Sequence, residues 1–225
     1  MRALRRLILL LFALVGGAPP VVGEEPGAPS THVVAMTFTL TQGETGACGP
    51  GCSRWIAAEG AILAATPVAF LEVSQALGGE KPPLLIHSDG GTVEAAMALG
   101  RLVRRAGLAT VVARTDRSGP RPAPALDGAC HGACLYLLLA GVERAVAPGA
   151  AVSIQPLAFA GPASDPFPEA MQARLTTAAL VRVRAYLDEM GIDPGLAGYL
   201  DGTRYEGFFP TRGFLDGHAI LTRDP

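Results

Sequence analysis

The stretch LLIHSDGGTVEAAMALGRLVRRAGLAT (84–110) decides the fold. It opens with a short apolar run, 84–87, of the kind found in strands that are buried on both faces. The glycine pair at 90–91 ends that strand, and apolar residues at helical spacing follow until Gly107 stops the helix. A further strand is predicted from Thr110, so the stretch predicts one strand–helix–strand unit of a parallel sheet.

The same alternation extends along the rest of the chain. Strands are predicted at 33–40, 55–62, 84–87, 110–113 and 152–157, and helices at 66–77, 93–107, 135–140 and 168–190. Thr66 is expected to cap its helix with Pro67 at the first helical position, and the proline-rich residues 114–128 are expected to form a loop. Repeated βαβ units, a largely parallel sheet and a long C-terminal helix together predict an α/β fold. The last helix carries an apolar stripe of Met171, Leu175, Ala179, Val183, Leu187 and Met190.

The N-terminus has the pattern of a secretory signal peptide. Arg2, Arg5 and Arg6 precede an apolar run at 7–15, which is far shorter than the ~20 residues that cross a bilayer. An uncleaved membrane anchor is the alternative, but the pair Pro19-Pro20 stops the helix before it would span. The sequence therefore predicts export.

We predict cleavage after Gly23, a flexible leader at 24–32 and a single domain at 33–225. The mature protein is then expected in the periplasm or outside the cell, with no membrane segment. The whole chain has 18 Lys+Arg against 20 Asp+Glu and a formal charge of −2, and loss of three leader arginines lowers the charge by three, to −5. Because no basic excess is available to neutralise phosphates, a nucleic-acid partner is not expected.

Four cysteines stand in two segments, CGPGC (48–52) and CHGAC (130–134). In an exported protein an even number of cysteines favours disulfides, so Cys48, Cys52, Cys130 and Cys134 are predicted to be bridged. Three pairings are open, and the sequence does not choose among them. A four-thiolate zinc site and a thiol–disulfide redox module are the alternatives, but neither segment has the C-x-x-C spacing of redox enzymes. We therefore expect no metal and no cofactor.

Two segments place glycines where a strand gives way to a helix: HSDGG (87–91) and ACHGAC (129–134). Such turns expose backbone N–H groups, which is how an oxyanion hole is built. Ordinary turn glycines are the simpler interpretation of either segment taken alone.

Taken together, residues from about 55 to 157 resemble the Clp-type serine peptidase and crotonase superfamily, and most closely its exported bacterial branch of predicted periplasmic proteins. The motifs that carry the resemblance are WIAAEGAI (55–62), SDGG (88–91), LGRLVRRAGLAT (99–110), CHGAC (130–134) and AGVERAVAPGA (140–150). The resemblance implies a Clp/crotonase-like fold with an oxyanion hole formed by the N–H groups of Gly91 and Ala133. Acyl-CoA chemistry is not favoured, because exported proteins do not normally meet coenzyme A.

The resemblance also implies that the catalytic residues are replaced. The family's nucleophilic serine falls on Gly132, and its catalytic histidine falls on Gln155. Glycine has no side chain that could attack, and glutamine does not accept a serine proton near neutral pH. The acidic third member would lie between Tyr199 and Asp216, where Asp201 and Glu206 are candidates. Asp89 stands where proline is usual and should oppose binding of an oxyanion.

We therefore expect an exported Clp-protease-like protein that is non-catalytic and binds a peptide or protein partner in its groove, or assembles with other subunits, which include further copies of itself. The resemblance implies that the helix at 168–190 makes the contact between subunits, and burial of its apolar stripe within one chain is the alternative and the more common case. The alternative is a periplasmic serine hydrolase with a displaced nucleophile, Ser153 or Ser88, paired with His131. His131 itself is expected to be a polar loop residue that faces away from the turn. The other histidines, His87 and His218, are expected to be structural.

Overall fold

The computed structural model describes residues 33–159, 161–162 and 164–223. The signal peptide (1–23) and the leader (24–32) lie outside the described residues, so both stay predictions. No helix in the described part of the chain is long and apolar enough to span a membrane.

Nine strands and six helices are described in this part of the chain. The strands are β1 Thr37–Gln42, β2 Arg54–Glu59, β3 Leu84–His87, β4 Thr110–Val112, β5 Arg114–Asp116, β6 Ala123–Ala125, β7 Ala129–His131, β8 Arg144–Val146 and β9 Ala151–Ser153. The helices are α1 Thr66–Ala76, α2 Val93–Ala106, α3 Cys134–Leu139, α4 Glu169–Glu189, α5 Leu196–Tyr199 and α6 Arg212–Gly217.

A five-stranded sheet in the order β1-β2-β3-β4-β8 forms the centre of the fold. Strand β1 is antiparallel to β2, and the remaining neighbours are parallel. Helices α1, α2 and α3 make the crossovers that parallel strands require. The predicted α/β fold with a largely parallel sheet and a long C-terminal helix is thus confirmed.

A second, two-stranded parallel sheet pairs β7 with β9 and joins the two glycine turns. The end of β3 contacts β7 through a bridge between Ser88 and Cys130, in which the Ser88 amide donates to the Ala129 carbonyl. The strand predicted at 152–157 is shorter than expected, because regular pairing stops at Ser153. This small sheet brings the turn at 88–91 next to the turn at 130–134.

The loop predicted at 114–128 is wrong in part, because β5 and β6 form an antiparallel pair there. Side-chain hydrogen bonds hold this pair of strands against the sheet. The pair therefore needs no alternation of apolar and polar residues, and the sequence shows none. The Thr115 amide donates to Glu59 at 2.9 Å, and the Trp55 indole donates to the Thr115 hydroxyl at 3.0 Å.

Two element starts also differ from the prediction. Strand β1 begins at Thr37, and Val33 and Val34 are exposed. Helix α1 has Ala65 as its N-cap without a side-chain cap, and the Thr66 hydroxyl instead accepts a hydrogen bond from the amide of Leu63 at 2.9 Å. An apolar stretch predicts that a strand is present, and a hydroxyl residue followed by proline predicts that a helix is present. Neither signal determines the first residue of the element.

Helix α4 is buried on one face from Thr176 onward, and so mostly over its second half. Val183 and Leu187 are fully buried, whereas Met171, in the same stripe, is 44% exposed. Tyr186 anchors this half, because its hydroxyl donates to the Tyr136 carbonyl at 2.6 Å. The half of the helix that anchors the fold therefore packs next to α3 and its preceding turn.

A buried arginine holds the C-terminal segment against the sheet. The Arg144 guanidinium donates to the carbonyls of Gly141, Ala219 and Ile220 at 2.9, 3.0 and 2.9 Å. Burial lowers the pKa of Arg144 to about 10, so the side chain remains charged at neutral pH. Strand β8, which carries Arg144, is not among the strands predicted from the sequence.

Candidate functional site

The two positions that the family resemblance marks as nucleophile and base face each other. A Cβ atom placed on Gly132 would lie 3.4 Å from Oε1 of Gln155, and no other heavy atom would be closer. Gly132 has a φ of 52°, which favours glycine, and a Cβ there would be in van der Waals contact with the Gln155 side chain. The two positions to which the resemblance assigns the nucleophile and the base therefore hold a glycine and a side-chain amide that lie next to each other.

Gly91 and Ala133, whose N–H groups the resemblance assigns to an oxyanion hole, both line one pocket of about 220 Å³. Within the part of the chain that the structure describes, neither N–H group donates to an acceptor. Gly91 is required where it stands, because its φ is 142° and a Cβ would lie 2.0 Å from the Ile62 carbonyl oxygen. Two unpaired donors at one pocket are the arrangement that binds a carbonyl or carboxylate oxygen.

This pocket, the amide pocket, exposes polar and apolar surface in nearly equal shares. Its apolar walls include Val93, Met97, Leu157, Phe159, Ala179 and Val183. Glu94 and Arg182 also line it, with their charged ends 3.6 Å apart. A concave pocket in which apolar walls and a few polar groups converge is the usual form of a ligand site.

Tyr136 is a residue of this pocket that the sequence analysis missed. It is 2% exposed, and its hydroxyl has no hydrogen-bond partner among the described residues. Burial, and to a lesser degree the charge of Glu94, raises the pKa of Tyr136 above its ordinary value of 10.0, so the hydroxyl remains protonated. The sequence signal was a tyrosine in the otherwise aliphatic run CLYLLL (134–139).

His131 and Ser153 form a pair that the sequence analysis considered only as an alternative. Nδ1 of His131 lies 2.9 Å from the Ser153 hydroxyl oxygen. The expectation that His131 is a loop residue is wrong, because His131 lies in β7 directly opposite Ser153 in β9. The expectation that it faces away from the turn is not contradicted, since His131 does not line the pocket of Gly132 and Ala133. Paired residues of neighbouring strands place their side chains on the same face of a sheet.

This pair lines a second cleft, here called the histidine cleft, of about 380 Å³. Asp89 lines the histidine cleft and not the amide pocket, whereas Gln155 lines both. The exposed ring of Phe209 lies edge-on to the His131 ring, with centroids 6.0 Å apart. Gln155 therefore separates the Ser–His pair from the N–H groups of the amide pocket.

The other candidate polar residues serve local structure. Asp201 accepts hydrogen bonds from Thr203, and these lower the pKa of its carboxyl group. Ser88 is buried and bonds with its hydroxyl to the backbone of Gly90. Glu206 is exposed and lines neither the amide pocket nor the histidine cleft as the structure describes them.

Both remaining histidines are structural, as expected. Nδ1 of His87 accepts a hydrogen bond from the Ala129 amide at 3.0 Å, which ties β3 to β7. Nδ1 of His218 lies 2.6 Å from Asp193.

The cysteines form two local disulfides, Cys48–Cys52 and Cys130–Cys134. Of the three pairings left open, the structure thus has the one in which each segment closes on itself. The second disulfide closes the turn that carries Gly132 and Ala133. Among the described residues, no group of three or more His, Cys, Asp or Glu side chains is placed to hold a metal ion.

No protein-family model matches the sequence, and the search of curated proteins gives no match. Solved structures do match. A structure of the 1510-N membrane-bound stomatin-specific protease has a TM-score of 0.52 at 14% identity, over 74% of this chain and 76% of the protease. A second structure of this protease, in complex with a substrate peptide, has a TM-score of 0.51 at 15% identity, over 74% and 72%. ClpP1 from Listeria monocytogenes has a TM-score of 0.48 at 15% identity, over 73% and 90%.

At this level of identity the likeness to the stomatin-specific protease concerns the fold. The chain therefore has the fold of a Clp-type serine peptidase.

Proposed function

We propose that this protein is an exported Clp-protease-like protein that binds a peptide segment in the amide pocket without cleaving it. The observation that carries the proposal is the placement of Gly132 opposite Gln155 beside the free N–H groups of Gly91 and Ala133. The means to hold a peptide oxygen are retained, and the means to attack its carbonyl carbon are absent from that place.

Binding is expected to draw on both kinds of surface in the pocket. The N–H groups bind a backbone oxygen of the peptide, and the apolar walls receive the adjoining side chain. Gln155 has amide N–H donors but does not take up a proton near neutral pH, so it can orient a ligand without acting as a base.

The test is peptide binding with the pocket blocked. Ala179 lines the pocket from α4, and Ala179→Trp should fill much of it and abolish binding of a fluorescent peptide library measured by anisotropy. The matched control is Ala178→Trp, one residue earlier on the exposed face of the same helix. Thermal unfolding of both variants checks that they fold. Equal binding by the two variants would contradict the proposed site.

A serine hydrolase is the second candidate, favoured by the 2.9 Å contact between His131 and Ser153. A histidine at that distance can activate a serine hydroxyl, and Asp89 lines the same cleft. Against it, Ser153 is only 4% exposed, and the free N–H groups of Gly91 and Ala133 line the other pocket. Catalysis at Ser153 would therefore proceed without these two donors. We propose the binding function ahead of the hydrolase for this reason.

Export and self-assembly are further parts of the proposal. Two local disulfides are consistent with an oxidising compartment. If the protein is exported, cell fractionation followed by intact-mass analysis should find a mature chain that begins at Glu24.

The exposed apolar side chains of α4, Met171 and Val181, offer a surface for a second copy of the chain. Light scattering of the wild type and of Met171→Glu tests this, with a smaller assembly expected for the variant.

A further inference from the structure

We propose that the free edge of strand β1 pairs with β1 of a second copy of the chain. The two strands run antiparallel and are related by a two-fold axis at Leu40, so that two five-stranded sheets join into one. No residue of β1 lines the amide pocket, and β1 is separate from the exposed surface of α4. The proposal therefore goes beyond the proposed function and is tested apart from it.

Strand β1 has a neighbour on one side only. It stands first in the sheet order, next to β2, and no other strand in the described part of the chain pairs with it. The Ile56 amide, in β2 opposite Leu40, donates to the Pro83 carbonyl at 2.9 Å, on the side of β3. Ile56 therefore does not bond to Leu40, whose N–H and C=O groups point away from β2. Because bonded and non-bonded pairs alternate along an antiparallel ladder, the same holds for Phe38 and Gln42.

The two edges of the sheet differ in how they are covered. At the far edge, the C-terminal segment bonds to β8. The Thr222 amide donates to the Arg144 carbonyl at 3.0 Å, and the Arg144 amide donates to the Thr222 hydroxyl at 2.7 Å. At the near edge, the segment VVAMTFTLTQ (33–42) has no charged residue and no proline, which are residues that commonly keep an edge strand from pairing. An edge without them is a template for a strand of another chain.

The sequence of β1 is complementary to itself in the antiparallel direction, which favours a second copy as the partner. With the axis at Leu40, this residue opposes its equivalent, and Phe38 opposes Gln42. All three outward-pointing residues then exchange hydrogen bonds with an outward-pointing residue. On the opposite face of the sheet, Thr39 opposes Thr41, and pairs of threonines across strands are favourable. No charged side chain enters the pairing.

Exposed apolar side chains lie beside this edge. Val33 and Val34, which lead into β1, are exposed, and so are Val68 and Leu71 of α1. Helix α1 packs on β1 through a ring contact with Phe38. An antiparallel pairing keeps the two α1 helices on the same face of the joined sheet, one on each side of the axis. Apolar contacts beside the junction can therefore add to the backbone hydrogen bonds.

The test is the oligomeric state of the purified chain when the edge carries a charge. Thr39 is exposed, and in the proposed register it lies diagonally across the axis from its equivalent. Thr39→Lys then sets two like charges about 7–8 Å apart. Thr45→Lys, at an exposed position in the loop after β1, is the matched control. Both variants and their reference chain also carry Met171→Glu, so that contact through α4 does not contribute.

Sedimentation equilibrium should find a dimer for the reference chain and for the Thr45→Lys chain. The dissociation constant of the Thr39→Lys chain should be higher by about tenfold or more. Circular dichroism checks that all three chains fold. Peptide binding in the amide pocket, measured by anisotropy on the same chains, should be equal in all three.

Two results would overturn the proposal and leave the proposed function untouched. One is a reference chain that stays monomeric up to millimolar concentration, whether the edge is then covered by another part of the same chain or reserved for a different partner. The other is a dimer whose dissociation constant is the same for Thr39→Lys and Thr45→Lys. Loss of peptide binding in all three chains would instead contradict the proposed function and leave the β1 pairing in place.

Discussion

Nδ1 of His131 lies 2.9 Å from the hydroxyl oxygen of Ser153, across the parallel pair formed by β7 and β9. The contact follows from strand register, since the two residues are directly opposite each other. It joins the turn that carries Gly132 to the strand that leads to Gln155. In our account this pair holds the two halves of the amide pocket in place.

If that role is correct, Ser153→Ala should lower stability modestly and leave peptide affinity nearly unchanged. Loss of one hydrogen bond of this kind costs about 1 kcal/mol of unfolding free energy. Urea unfolding and anisotropy with the same purified variant check both parts. A variant of normal stability that no longer binds peptide would show that the hydroxyl acts on the ligand instead.

Restoring the two replaced residues should restore reactivity. The double variant Gly132→Ser/Gln155→His places a hydroxyl and an imidazole beside the N–H groups of Gly91 and Ala133. Serine at a φ of 52° costs ~1 kcal/mol, which the fold should tolerate. We expect labelling by a fluorophosphonate probe about a hundredfold above that of Gly132→Ser alone, because the general base is then present. A folded double variant that stays unlabelled would contradict the assignment of the oxyanion-hole groups.

The two disulfides should differ in their effect on binding although they close rings of equal size. Replacing Cys130 and Cys134 by alanine frees the turn that carries Ala133, so peptide affinity should fall. The free energy of unfolding should fall as well, by about 2 kcal/mol. Replacing Cys48 and Cys52 by alanine is the matched control. It should lower stability alone, because that loop lies apart from the amide pocket. Equal losses of affinity in the two variants would count against a role of the turn in binding.

Arg144→Met should be among the most destabilising single changes. It leaves the carbonyls of Gly141, Ala219 and Ile220 without their donor, at a cost of about 2–4 kcal/mol. Arg105→Met, at an exposed position in α2, should change stability by less than about 0.5 kcal/mol. Chemical unfolding of the two variants measures the difference, and similar stabilities would mean that the C-terminal segment is held by other contacts.

Stability should fall at acid pH, partly through Asp193. The Gly195 amide and then His218 hold the pKa of Asp193 below its ordinary value of 3.8. A carboxyl group with a lowered pKa in the folded state stabilises the fold above its unfolded pKa, and this contribution is lost as the pH falls through the folded pKa. Melting temperatures at pH 7 and pH 3 should therefore differ less for Asp193→Asn than for Asp188→Asn, an exposed control. Equal falls would contradict the assignment.

The sequence predicted correctly those elements of the fold that depend on residues close together along the chain. The apolar run at 84–87 and the glycines that follow it predicted β3, its turn and α2. These features are local, so spacing along the chain was enough to predict them. The assignment of Gly132 to the position of a nucleophile rests on the family resemblance and stays a prediction.

What the sequence left open or missed depends on contacts between distant segments. The sequence allowed a pair of His131 with Ser153 only as an alternative, because the register of β7 against β9 is specified by no local pattern. That the buried Tyr136 hydroxyl has no hydrogen-bond partner among the described residues depends on all the segments packed around it. The β5–β6 pair in the predicted loop at 114–128 depends on hydrogen bonds from Thr115 to Glu59 and Trp55, which come from another strand.

The central claim is that the amide pocket binds peptide while the protein lacks a working nucleophile. The most direct test is fluorophosphonate labelling of the purified wild type beside Ser153→Ala, with Gly132→Ser/Gln155→His as the reactive reference. Our account predicts no labelling of the wild type or of Ser153→Ala above a heat-denatured sample. Labelling of the wild type that disappears in Ser153→Ala would contradict the account and identify a serine hydrolase that uses the His131–Ser153 pair.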